Sequence, residues 1–173
     1  MGWLCRRPEQ LEGCIMPIEF KNSLTAYQVG RRVNSEEWNG QTLTKEGASA
    51  LGFGVPVMPG AAAGSCVELD ATNSRHILGI TEATATLPRP GDAYAQYDNV
   101  PVAEIAVLGV LLGANVTRGA QARWNTVAKN WTGAAQSATV VTIPGAQFDE
   151  AGVSGAVGVI RYRRPVPSLS ISG

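Results

Sequence analysis

The side chains most capable of chemistry cluster in "RGAQARWNTVAKNWTG", residues 118–133, which sets Trp124 and Trp131 among Arg118, Arg123 and Lys129. Indoles beside cations can stack on nucleic-acid bases, hold a sugar ring, or pack on each other to roof a β-hairpin. The order of strand-like run, Asn125 turn, lysine-bearing turn and second run puts the two rings within packing reach across a hairpin. Buried, they close that hairpin. Exposed, they and the neighbouring cations form a contact patch, because Trp and Arg are enriched at binding hot spots, and a protein suits such a patch better than a base.

Other candidates for chemistry are sparse. A serine-type triad needs a histidine base, and His76 is the one histidine in the chain. It precedes the strand-like "ILGIT", beside Arg75, and no GxSxG nucleophile motif accompanies it. The acids Asp70, Glu82, Asp92, Asp98, Glu104, Asp149 and Glu150 fall at turns and strand ends, where carboxylates are ordinarily solvated and not paired for glycoside hydrolysis. "GFG" and "GVPVMPG" are followed by neither Lys-Ser/Thr nor a helix, so no phosphate cradle is visible. Cys5, Cys14 and Cys66 are an odd set without a CxxC pair, which supports neither a disulfide framework nor a zinc site. Cys66 in "GSCVELD" reads as a small buried thiol, and this cysteine usage suits a reducing cytoplasm. The expectation is a non-enzyme with no catalytic residue, no cofactor and no metal.

The whole chain bounds what can position these residues. At 173 residues with 45% hydrophobic content it can build one ordinary domain and bury about 70% of its unfolded surface. Fourteen Lys and Arg balance fourteen Asp and Glu, so no net field draws in nucleic acid or an anionic membrane. The longest apolar run, "IAVLGVLLGANV", is broken by glycines and falls short of the roughly 20 residues that span a bilayer. Neither nucleic acid nor membrane is an expected partner.

From Leu51 onward, short runs rich in Val, Ile, Thr and Ala are punctuated by Gly, Pro, Asn and Asp at all-β spacing. The expected strands are "GVPVM", "SCVELD", "HILGITEA", "AYAQYD", "VAEIAVLGVLLG", "AQARWN", "ATVVTI" and "AVGVIRYRR". None is followed by a long amphipathic helix, which argues against a parallel sheet and for a compact antiparallel barrel or sandwich over residues 51–164. Turns are expected at residues 59–60, 71–74, 89–92 and 143–145. Residues 16–50 are mixed and polar, with Trp38 as an apolar anchor before an Asn-Gly turn, and read as an extended N-terminal arm. Residues 1–15 have no secretory apolar stretch. Leu11-Glu12-Gly13 can be encoded with a ribosome-binding GGAGG ahead of Met16, so residues 1–15 read as an upstream-translated or disordered leader. Residues 165–173, with "PVP", read as a short tail able to lie along a sheet edge.

In the order of these elements the chain resembles a known family. "RGAQARWNTVAKNWTG" is similar to the G-A-x-V-x-W-(D/N)-x-x-x-K-x-(V/W)-T hairpin of tailed-bacteriophage capsid decoration proteins, also called head cement proteins. "GVPVMPGAAAGSCVELDATNSRHILGITEAT" resembles their opening strands, and "IPGAQFDEAGVSGAVGVIRYR" resembles their closing Gly-rich turn and final strand, for coverage of residues 51–164. The arm departs from shorter members, which begin almost at once with the first strand. The resemblance implies a non-enzymatic virion protein, made in the bacterial host cytoplasm and commonly homotrimeric. Such a protein sits on the outer capsid surface at junctions of the major capsid protein and stabilises the shell. On that implication the interface residues are Trp38, Arg118, Arg123, Trp124 and Arg163. Two rivals come from other classes: a carbohydrate-binding β-domain with Trp124 and Trp131 as stacking platforms, and an enzyme of unrecognised type marked by a perturbed acid or His76 in a deep pocket.

Overall fold

The computed structural model describes residues 27–34, 37–70, 76–83 and 90–165. Its strands in chain order are β1 (Asn39–Lys45), β2 (Leu51–Gly52), β3 (Pro56–Pro59), β4 (Ser65–Glu68), β5 (Gly79–Thr81), β6 (Ala93–Tyr94), β7 (Asn99–Leu111), β8 (Gln121–Asn125), β9 (Asn130–Thr132), β10 (Val140–Phe148) and β11 (Val157–Arg163). Helix among the described residues is limited to one 3-10 turn, Pro90–Asp92. The protein is all-β, as its short punctuated runs predict.

Pairing decides between barrel and sandwich. β1 pairs with β4, β4 with β3, β3 with β5, β5 with β7, and β7 back with β1. That cycle is a small closed barrel, and closure removes the free edges an open sheet would present. β1 with β4 is its one parallel pair. The second half of β7 continues into the order β7-β11-β10-β8-β9. This sheet also curls back, because Leu112 bridges Trp131 and the Gly113 N–H donates to Trp131 O at 2.7 Å. β7 is thus the strand both halves share, and one continuous core runs through them, from Leu43, Val57, Ile80 and Val102 to Trp124, Trp131, Ile143 and Phe148.

β7 also explains the apolar run that stops short of a membrane span. Residues 106–110 are all buried, so this stretch does not alternate as a half-exposed strand would. The cover is residues 30–33, which run antiparallel beside it: Gly30 N–H donates to Gly109 O at 2.8 Å and Val33 N–H to Val107 O at 2.9 Å. Gly109 is required where they cross, since a Cβ there would stand 2.4 Å from Gln28 O. In the barrel half, Cys66 is a free thiol with no exposed surface, and burial pushes it up to about 11, above the range in which it would react at neutral pH.

Two expectations are corrected. The arm does not extend to residue 50, because Asn39–Lys45 is a stave of the barrel. Its polar composition hides it: along NGQTLTK only Leu43 and Lys45 are buried, and Asn39-Gly40, read as a turn, instead opens the strand at a register shift against β7. Likewise Ile143-Pro144-Gly145 is no turn between strands but a bulge inside β10, where the register with β8 shifts between Thr142 and Gln147. Gly145 adopts φ 79°, and a Cβ on it would meet Arg163 O at 1.9 Å. The Gln121 Nε2 donates to Ile143 O and Ala146 O, each at 2.8 Å, and so satisfies carbonyls that the bulge takes out of the ladder. The leader, the arm before residue 27, the turn at 71–74 and the tail beyond residue 165 lie outside the described residues.

Candidate functional site

β1 starts and β5 ends against the same part of β7, with Asn39 opposite Ile105 and Thr81 opposite Val102. Trp38, just before β1, therefore meets Glu82, just after β5. Glu82 is 6% exposed, and a carboxylate so deep must be met by donors. The Trp38 Nε1–H donates to its Oε1 at 2.7 Å, and Arg32 Nε stands 3.6 Å from its Oε2. The Arg32 guanidinium also lies 4.7 Å from the indole centroid, within cation–π range. Tyr94 fixes the base of this cluster by donating its hydroxyl to Glu82 O at 2.5 Å. With its N–H and one face engaged, Trp38 remains 47% exposed.

The other edge of β7 completes the face. Arg163 of β11 stands opposite Ile105 on that edge, so one position of β7 holds Asn39 on one side and Arg163 on the other. Glu37 accepts from Arg163 at 2.9 Å and lies 3.6 Å from Arg161, which in turn reaches Asp149 at 3.4 Å. Arg164 pairs with Glu104, whose carboxylate also accepts from Gln41 Nε2 at 3.2 Å. Beneath lies Tyr162, with no exposed surface; burial raises its phenol to about 12, with Glu104 adding to the rise and Arg164 opposing it. At the far end of β11, Tyr27 donates to Glu150 at 3.2 Å, and that bond raises the phenol above its ordinary value.

The structure sets Asn39, next to Trp38, and Arg163 on opposite edges of β7 at Ile105, with Glu37 pairing to Arg163, but sends the other selected residues elsewhere. Trp124 is 1% exposed and Trp131 has no exposed surface. They face each other directly in the β8–β9 hairpin, edge to face with centroids 5.6 Å apart, and the Trp131 Nε1–H donates to Gly54 O at 2.8 Å. Trp124 is corrected from interface to core residue, since alternation along QARWN turns Ala122 and Trp124 inward together. The same burial takes both rings away as sugar platforms. Arg123, turned the other way, is half-buried and occupied: it donates to Thr142 Oγ1 at 3.2 Å and to Gly133 O and Ala134 O at 3.1 and 3.0 Å. Arg118 is exposed on the turn before β8. Lys129, at the β8–β9 turn, pairs with Glu68 of β4.

Sequence reasoning passed over Arg32, Glu37, Arg161 and Arg164, and the structure corrects Glu82 from a solvated strand-end acid to a buried carboxylate met by Trp38 and Arg32. Glu37 beside Trp38, and the alternating arginines of "RYRR", were the available signals; the reach from Glu82 to Trp38 depends on barrel closure and has none. An open cleft of about 300 Å³ near the end of β1 is lined by Lys45, Glu46, Leu51, Met58 and Glu68. Its charges hold local structure: Lys45 Nζ donates to Gly47 O at 2.6 Å, and Glu46 accepts from Ala61 N–H at 2.6 Å and Ser65 Oγ at 2.8 Å. Those bonds, that from Ser65 foremost, hold the Glu46 carboxyl below its ordinary value. His76 is exposed ahead of β5, outside this cleft's lining. Among the described residues no cluster of His, Cys, Asp and Glu could hold a metal ion, and no helix is long and apolar enough to cross a membrane.

No curated protein matches the chain. A chain from the solved structure described as the capsid of Myoviridae phage XM1 shares the fold, with a TM-score of 0.66, 17% sequence identity, and coverage of 84% of this chain and 95% of that one. Residues 17–163 match the structural cement protein family of phages, a span that includes the barrel, the second sheet and the segment carrying Trp38. The chain belongs to the phage structural cement protein family.

Proposed function

We propose that this cement protein binds the outer surface of a bacteriophage head at junctions between major capsid protein subunits and stabilises the assembled shell, acting as a homotrimer. The observation that carries the reading is the face around Trp38: in a family of capsid structural proteins, this chain keeps its other tryptophans of known position in the core and leaves one indole 47% exposed, with Arg32 over its ring and Glu37, next to it in the chain, paired with Arg163. An exposed indole flanked by guanidinium groups is the composition that dominates binding energy at protein interfaces. The rigid β7 support beneath it limits the ordering that binding would otherwise cost.

The physics of such a clamp is mass action. A ligand that binds the assembled shell and not its free subunits stabilises assembly by RT ln(1 + [L]/Kd), about 2.7 kcal/mol when free ligand stands at a hundred times Kd. A contact burying about 800 Å² on each partner suffices, because linked copies raise the effective concentration of the second and third contacts.

The test is light scattering on the purified protein, followed by thermal melting of empty heads with and without it. A trimer that co-migrates with heads and raises their melting temperature is the expected result. A monomer that leaves head melting unchanged contradicts it.

A further inference from the structure

Around Trp38 the two signs of charge lie at different depths. Side-chain exposures of Arg32, Arg161, Arg163 and Arg164 are 42, 43, 60 and 41%. Their partners sit lower, with Glu82 at 8%, Glu104 at 23%, Asp149 at 31% and Glu37 at 32%. The pairs cancel in number but not in what a partner meets: guanidinium edges stand outward, and carboxylates support them from below. Each guanidinium carries five donors in a fixed fork, and the ion pairs here engage only part of them. Between them the indole offers one open face with its N–H already given to Glu82, so it can contribute packing but no hydrogen bond.

From this layering we propose that the Trp38 face recognises an acidic segment of the shell protein, in which carboxylates flank an aliphatic or aromatic side chain that packs on the indole. The proposal rests on the cement reading and adds the chemistry of its contact. Charge complementarity decides the occupant, since the uncommitted donors on the face are guanidinium N–H groups and their natural acceptor is a bidentate carboxylate. A protein segment fits better than a polyphosphate backbone: the chain as a whole carries equal numbers of acids and bases, so it has no field to hold a nucleic acid beyond this patch.

The test uses the full-length protein and empty heads of the phage that encodes it, with binding followed by co-sedimentation from about 50 to about 500 mM NaCl. Wild-type affinity is expected to fall about tenfold or more across that range. Arg163→Gln with Arg164→Gln should bind at least about tenfold more weakly at low salt, with a flatter salt dependence and an unchanged melting temperature. The charge-keeping pair Arg163→Lys with Arg164→Lys should retain most of the binding, and Val127→Glu, which makes the same one-unit change per site at the β8–β9 turn, should bind as wild type. A polyglutamate peptide of about 20 residues should compete with heads for the wild-type protein, and a single-stranded oligonucleotide of equal charge should not. That competition needs no variant to fold. Binding that ignores salt, or Gln variants that bind as wild type, would overturn the acidic-segment proposal while the cement reading stands. Stronger competition by the oligonucleotide would overturn it in favour of a nucleic-acid surface. Wild-type protein that binds heads at no salt concentration would overturn the cement reading itself.

Discussion

Two segments set a tryptophan next to an asparagine, at the β8–β9 turn and at the start of β1, and they end on opposite sides of the core boundary. In the β8–β9 hairpin, Trp124 and Trp131 sit opposite each other and point inward, where they close the second sheet against Gly54. At the entry to β1, alternation turns Leu43 and Lys45 inward and leaves Thr42 and Thr44 exposed, and Trp38, ahead of the register shift at Asn39-Gly40, stays on the outer side. It lies over Glu82 on the outside. The lesson concerns phase and not composition: both stretches combine Trp with cations, and strand register alone decides which indole builds the protein and which one can meet a partner.

Removing Trp131 should do the largest damage. Trp131→Ala deletes a fully buried ring and its bond to Gly54, and should cost about 3–5 kcal/mol in denaturant unfolding. Next is the bulge beside that hairpin. Gly145→Ala forces a side chain onto φ 79° and into Arg163 O, and should cost about 1–3 kcal/mol, read as a lower melting temperature. Trp38→Ala should invert the pattern: about 1–2 kcal/mol of stability, from the lost donor to Glu82, but about tenfold or more of head binding. If Trp38→Ala destabilised as much as Trp131→Ala, the distinction between the two regions would collapse.

The smallest effect is one of pH and belongs to the barrel end. The Glu46 carboxyl is held below its ordinary value of 4.5 by Ser65 and Ala61, so it favours the folded state when ionised. Its contribution is complete above that ordinary value and disappears as pH falls through the lowered one. Denaturant midpoints should therefore decline more steeply on acidification below about pH 4.5 in wild type than in Glu46→Gln. Parallel declines would remove Glu46 as an anchor of the β3–β4 turn.

Much of this fold is legible in the sequence, and what is not has identifiable causes. Each of the eight apolar runs contains or overlaps a strand, because turn chemistry and β-branched residues are local signals. β1 escaped because NGQTLTK turns mostly polar side chains outward, with Lys45 as one of its two buried residues. Pro144-Gly145 signals a turn wherever it occurs, whereas pairing of Ala146–Phe148 with β11 and the Gln121 side chain carry β10 on past it. Trp38 and Arg163 could be chosen from sequence as an exposed aromatic and a strand-end cation. Their joining across β7, and the layering of arginine over acid, depend on which strands neighbour one another, which no local pattern encodes.

Whether the Trp38 face is the side that meets the shell is tested most directly by cryo-electron microscopy of heads decorated with the wild-type protein. The expected map buries Trp38 and Arg163 against the shell protein, with carboxylates of that protein opposite the guanidinium groups. A decorated head in which Trp38 and Arg163 face solvent, with contact made elsewhere on the protein, would contradict it.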